Sequence, residues 1–282
     1  MMIAGTQYYR PPTPPPEEHE GDLARIREMG FDSIRVWLSW GWHEVRKGEV
    51  IWDDMDRLFG IAQQNGLQEV INLQLEIPPA WFHPENILTG PAGVIRRSHF
   101  LGTRVPCFDA TQNRLAAEPF IRAAGRHYSN HPALLAWDAW NEPHARDECL
   151  CAASRDSFTT WLKDTYGDVA AFNRLFGKRF TAFDEVPMAG YGNEYSEQLN
   201  YRLWAAHSVA SRVRWAADRL RGEDPHHPIT SHSMYCSVGQ AMLDRTSVCA
   251  LTAKTVDFYG LSMPLPYDNV AGSRSCRVPA DQ

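Results

Sequence analysis

The chain of 282 residues has no apolar run approaching the roughly 18 residues that cross a bilayer. It has no surplus of positive charge: 28 Lys and Arg stand against 34 Asp and Glu, a net charge of -6. That is the wrong sign for holding nucleic-acid phosphates or an anionic membrane surface. Cysteine is sparse, six residues at uneven spacing, which argues against a disulfide framework. The opening MMIAGTQYYRPPTPPP lacks the basic and apolar regions of a secretory leader, so a soluble, cytoplasmic protein is expected. Low-complexity sequence is confined to the proline cluster at 11–16, and 44% hydrophobic residues exclude a disordered chain.

Aromatic residues are plentiful: ten Trp, ten Tyr and twelve Phe. Such rings fill large cores, and they also line clefts where the apolar face of a sugar packs. Strand-like and helix-like segments alternate along the chain. Strands are expected at Ile3–Tyr9, Phe31–Trp40, Leu67–Leu75, Leu134–Trp140, His227–His232 and Val256–Met263. Helices are expected at Glu17–Met29, with Leu23, Ile26 and Met29 on one face, and at Trp52–Gln64, Leu115–Tyr128, Ser154–Tyr166 and Glu194–Arg221. A long loop over 76–113 interrupts the third unit, and loops of that length in a compact domain tend to be functional. Strict β/α alternation implies a parallel sheet. Without a glycine-rich phosphate loop after the first strand, it favours an α/β fold of the (β/α)8 TIM-barrel type over a dinucleotide-binding sheet. About six of the eight units are accounted for, because too few residues follow 263 to build two more. Residues 1–266 are thus expected to form a partial barrel, and 267–282 an irregular tail.

The sharpest chemical signal is Trp137-Asp138-Ala139-Trp140-Asn141-Glu142-Pro143-His144. It puts an Asn-Glu pair at the carboxyl end of the fourth strand, where barrels of this kind build active sites. Glycoside hydrolysis needs one carboxylic acid to protonate the leaving oxygen and a second carboxylate acting at the anomeric carbon. Glu142, flanked by Trp140 and Pro143, suits the acid role. Asn141 suits a hydrogen bond to the sugar 2-hydroxyl, and Trp140 a place beside the substrate. A turn that merely ends a strand is the structural alternative. His232 and Tyr235 after the fifth strand, and Tyr259 near the end of the sixth, sit where barrel enzymes place substrate contacts; each could equally be a packed strand-end residue. Glu76 ends the third strand, and a subsite or loop role suits it better than a nucleophile's. Glu44 has still weaker claims.

Beyond the Asn-Glu pair, the chain carries Tyr8-Tyr9 after the first strand, Pro78-Pro79-Ala80-Trp81 after the third, and His131-Pro132-Ala133-Leu134 before the fourth. Phe158 to Gly167 reads FTTWLKDTYG, with Phe172-Asn173 beyond it. In these motifs, over about Gly5 to Pro266, the chain resembles the retaining glycosidases of glycoside hydrolase family 42, the β-galactosidases. The resemblance implies double displacement on terminal β-D-galactosides, with Glu142 as acid/base and Asn141 binding substrate. Arg104 falls within one position of a substrate-binding arginine of the family. The family's members are often homotrimers.

The departures are informative. The family usually has Asn-Glu-Tyr where this chain has Asn141-Glu142-Pro143, which leaves a β-glucoside or β-mannoside as an alternative substrate. Some members hold a structural zinc through four cysteines. Cys107, Cys149 and Cys151 match three of those positions and Ser154 stands at the fourth, so three reduced thiols without metal are the simpler expectation. The family's nucleophile ends the seventh strand, which this sequence does not reach. An inactive fragment is therefore expected, with a non-catalytic carbohydrate-binding barrel as the alternative from another functional class.

Overall fold

A computed structural model describes residues 3–90, 93–143, 149–188, 194–233 and 249–261. Six strands form one parallel sheet in chain order: β1 (Gly5–Tyr9), β2 (Ser33–Ser39), β3 (Gln68–Gln74), β4 (Leu134–Asp138), β5 (Ile229–Ser233) and β6 (Phe258–Leu261). Helices α1 (His19–Glu28), α2 (Asp53–Gln64) and α3 (Thr111–Tyr128) make the first three crossovers. The fourth is longer and contains α4 (Ala152–Tyr166), α5 (Val169–Phe176) and α6 (Tyr195–Arg221). This is part of a (β/α)8 barrel. Among the described residues, β1 pairs only with β2 and β6 only with β5. No helix among them is long and apolar enough to cross a membrane.

The sheet is apolar on its outer side because strand side chains alternate faces. Ile34, Val36 and Leu38 of β2, Ile71 and Leu73 of β3, and Trp137 of β4 are buried in one core with Leu23, Met55, Phe59, Phe120 and Leu220. Burying each such side chain stabilises the fold by roughly 1.5–3 kcal/mol. A second core joins α4, α5 and the first half of α6 through Phe158, Leu162, Phe172, Tyr201 and Trp204. The FTTWLKDTYG motif supplies its first members.

Local chemistry sets the element ends. In α1, Glu20 and Asp22 lie in the first turn and Arg25 and Arg27 in the last, each sign facing the opposite end of the helix dipole. Asp168 caps α5 by accepting from the Ala171 amide at 2.7 Å, and Gly177 closes it at a φ of 65° that other residues resist. The strands are shorter than the apolar runs suggest. Trp40 opens a one-turn helix to His43, Leu67 and Leu75 are buried beyond the ends of β3, and Phe31 lies half-buried before β2. Helix α3 begins four residues before the expected Leu115, since its first turn is polar. There Asn113 is buried, donating to the carbonyls of Asn86 (2.7 Å) and Cys107 (2.8 Å). Met29, expected on the inner face of α1, is 68% exposed. Helix α5 and a small hairpin, Glu44–Arg46 with Glu49–Val50, add to the expected elements.

Candidate active site

All six strands run the same way, so their carboxyl ends open on one side. A cleft with about 190 Å³ of free volume lies there. Its wall includes Tyr9 and Trp37 from β1 and β2, Gln74 and Glu76 at the end of β3, and Trp140, Asn141, Glu142 and Pro143 after β4.

Beneath the cleft, the barrel interior is polar. Arg35 of β2 reaches across β3 to Asp138 of β4, donating from Nε (3.1 Å) and Nη2 (2.6 Å). The same Nη2 donates to Asn141 Oδ1 at 2.9 Å, and Nη1 donates to Gln7 at 2.8 Å. His232 Nδ1 lies 3.1 Å from the same Asp138 oxygen. Gln74 donates to Asn72, which donates to the Asp138 carbonyl at 3.3 Å. Fixing the Asn141 oxygen on Arg35 leaves its NH2 as the donor for a ligand. The turn after β4 is further tied down by Ser231, whose hydroxyl donates to the Trp140 carbonyl at 2.9 Å.

Two non-glycine residues among those described have a positive φ: Tyr9 (77°) and Glu142 (43°). Both line the cleft. Such a backbone costs about 1–3 kcal/mol per residue and collects at functional sites.

Of the residues singled out from sequence, Glu142, Asn141, Trp140 and Glu76 come together in the cleft wall. Trp140 is buried, edge-on to Phe108 at 5.3 Å. His232 sits below, on Asp138. Tyr259 is half-buried on β6 and does not line the cleft. Arg104 is exposed, bridged to Arg97 across a loop, and it too lies outside the wall. Arg96 and Arg97, from the facing side of that bridge, stand in the wall instead. Glu44 is buried in a structural role, accepting from Trp40 Nε1 and from the Gly48 amide. His144, Tyr235 and the 267–282 tail lie outside the described residues.

The proline-tryptophan motif, just past Ile77, packs outside the wall against the turn after β2. Trp81 donates to the Glu44 carbonyl at 2.9 Å and packs edge-on to Trp40 at 6.3 Å. The Gly41 amide donates to the Ile77 carbonyl at 2.7 Å, and a Cβ there would fall 2.5 Å from the Pro78 oxygen. Only glycine permits that approach.

Sequence reasoning missed Arg35 beneath the cleft, and Arg10 just after β1 and Arg212 of α6, which line it. An arginine centred in an otherwise apolar strand was the available signal for Arg35.

Away from the cleft, the sulfurs of Cys107, Cys149 and Cys151 lie within 4.8 Å of one another. Hydrogen bonds from Cys107 and Cys151 hold the Cys149 thiol well below its ordinary range, while hydrogen bonding with Cys149 and Cys151, with burial, pushes the Cys107 thiol up. Ser154 Oγ is 3.2 Å from Cys107 Sγ and 3.7 Å from Cys151 Sγ, and it donates to Asp109 at 2.7 Å. Three sulfurs of the kind zinc takes are therefore gathered in one place, and a hydroxyl backed by a carboxylate stands beside them where a fourth ligand would lie.

The sequence profile of Glyco_hydro_42, described as beta-galactosidase, matches residues 8–259. Beta-galactosidase Bga of Halorubrum lacusprofundi is 28% identical over 251 residues, covering 83% of this chain and 35% of that protein. The beta-galactosidase of Thermus thermophilus is 27% identical over 246 residues, covering 82% and 38%. The chain thus spans little more than a third of the length of these curated relatives. The solved structure of the polyextremophilic H. lacusprofundi beta-galactosidase has a TM-score of 0.81 at 24% identity, covering 96% of this chain and 42% of that one. A catalytic mutant of Gan42B, a GH42 beta-galactosidase from G. stearothermophilus, has a TM-score of 0.77 at 21% identity, covering 95% and 41%. These two likenesses establish the barrel fold. With the profile running from Tyr8 at the end of β1 to Tyr259 in β6, the chain belongs to glycoside hydrolase family 42.

Proposed function

We propose that this chain carries the acid/base half of a retaining glycosidase site acting on terminal β-D-galactosides in the cytoplasm. The observation that carries the reading is Glu142, set on a left-handed turn at the carboxyl end of β4, beside an Asn141 whose amide is oriented by Arg35. In this scheme Glu142 protonates the departing glycosidic oxygen, and the Asn141 NH2 donates to the sugar 2-hydroxyl as charge builds at the anomeric carbon. Trp37 offers its ring to the sugar's apolar face, and the buried Trp140 backs the turn beside it. Unpaired cysteines suit a reducing compartment.

A retaining site needs a second carboxylate about 5–5.5 Å from the first. We assign that group to a seventh strand, which no described residue forms, and not to Glu76, which follows β3, the immediate neighbour of β4. The chain alone should then turn over phenyl β-D-galactopyranoside slowly or not at all. Azide should serve as an external nucleophile: it attacks the anomeric carbon, phenol leaves with the Glu142 proton, and α-D-galactosyl azide forms. Robust Glu142-dependent turnover without azide would overturn the assignment of the nucleophile. Azide-driven turnover unchanged in Glu142→Gln would overturn the acid role.

The Asn141-Glu142-Pro143 sequence favours one second reading, a β-glucoside or β-mannoside. Parallel assays with the phenyl β-glucoside and β-mannoside separate the two.

A further inference from the structure

The chain carries a net charge of -6, yet among the described residues its cleft is lined by four arginines, Arg10, Arg96, Arg97 and Arg212, against two carboxylates, Glu76 and Glu142. Of those two, Glu142 already has the acid/base role. Among the described residues, Arg10, Arg97 and Arg212 make no ion pair. The Arg10 guanidinium lies 4.4 Å from the Phe100 ring centre and 4.6 Å from that of Tyr9. Arg212 lies 5.9 Å from the ring centre of Trp140. Arg97 donates to the Gly102 carbonyl. Outside the cleft, arginines such as Arg122, Arg126 and Arg219 are matched to acids, the first two meeting Glu223 and the third Glu118.

Stacking on aromatic faces holds a guanidinium in place while leaving its N–H edge for a planar, bidentate acceptor. Gathering more such groups in one cleft than the acids beside them is costly by mutual repulsion, and an arriving anion lowers that cost. A neutral sugar needs no such set, since hydroxyls are recognised by amides, carboxylates and rings, which the cleft also has.

We infer that the cleft takes a glycoside bearing an anionic substituent, a sulfate, phosphate or uronate carboxylate, held by Arg10, Arg97 and Arg212. This rests on the glycosidase reading above and names the substrate class of the same site. The anion sits toward the mouth, where Arg10 and Phe100 meet, and the glycosidic bond lies at Glu142.

The test is calorimetric titration of the full chain at low salt with galactose, galactose 6-sulfate, galactose 6-phosphate and galacturonic acid. Inorganic sulfate is the control for the anion alone. The anionic sugars should bind at least about tenfold more tightly than galactose, the gain typical of charge-assisted hydrogen bonds, and raised salt should shrink the gap. The arms decide among the three anions. Arg10→Gln and the exposed Arg97→Gln should each bring the ratio of anionic to neutral affinity toward one. Equal affinity for galactose and every anionic derivative overturns the inference and leaves the glycosidase reading standing. Inorganic sulfate binding as tightly as galactose 6-sulfate, with no galactose bound, overturns the glycosidase reading. No binding of any ligand by folded protein overturns both.

Discussion

On β2, Ile34, Val36 and Leu38 turn toward the helices and are at most 1% exposed, while Arg35 and Trp37 between them face the barrel interior. The contrast continues on β3, with Ile71 and Leu73 outward and Asn72 and Gln74 inward, and on β4, with Trp137 outward and Asp138 inward. The outer face is apolar, with few polar anchors such as the Trp137–Asp224 hydrogen bond. The inner face is a chain of hydrogen bonds ending at Asn141. Stability resides in the outer layer, whereas the inner layer spends stability on orienting side chains for a ligand. The two backbone strains, at Tyr9 and Glu142, fall on the inner side as well.

The comparison is most easily broken from outside. Phe59 is fully buried, stacked on Tyr128 at 4.7 Å. Phe59→Ala should cost about 3–5 kcal/mol in urea unfolding, and a loss below about 1 kcal/mol would mean the shell is not where stability resides.

His43 tests the shell by pH. Burial against Trp52 lowers its pKa to about 4, and its Nδ1 donates to the Ile51 carbonyl at 3.0 Å. The folded state thus keeps His43 neutral where the unfolded chain, near 6.5, takes up a proton. Stability should therefore fall as pH drops from about 6.5 to about 4, by about 3 kcal/mol in all from this residue. His43→Gln should lose that part of the slope in paired unfolding curves.

Inside the barrel, Arg35→Met strands a buried carboxylate. With the Arg35 side chain 23% exposed, the expected loss is about 2–3 kcal/mol, below the value for a fully buried pair. The sharper outcome comes from Arg35→Met combined with Asp138→Leu. That pair should recover most of the stability and none of the sugar binding, because the polar interior serves orientation. Recovery of binding would contradict the division between the layers.

The smallest effect is at the thiol cluster. As purified, the chain should hold well under one equivalent of zinc, and Ser154→Cys should bring it to about one while raising affinity at least about tenfold in chelator competition. Full zinc in the unaltered chain would show that Ser154 and Asp109 complete the site.

Much of the outer layer was legible in the sequence because its signal is periodic. Helix α6 was expected over 194–221 and runs from Tyr195 to Arg221. Periodicity misled where an apolar side chain stays on the surface, as at Met29 and Leu115. The Asn141-Glu142 pair was legible because strand, turn and chemistry coincide in eight residues. The network that aims it was not, since Arg35 meets Asp138 across 103 positions of sequence. The arginines of the cleft come from a strand end, a loop and a helix whose convergence only the barrel determines. Arg104 showed the same limit, because sequence position alone does not say which arginine of a folded-back loop faces inward.

The most direct measurement is calorimetric titration of galactose into the unaltered chain and into Asn141→Ala, with unfolding curves to verify that both are folded. Saturable heat in the unaltered chain, lost in Asn141→Ala, is the expected result. Equal heats in the two proteins, or none in the unaltered one, would contradict a sugar site built on the turn after β4.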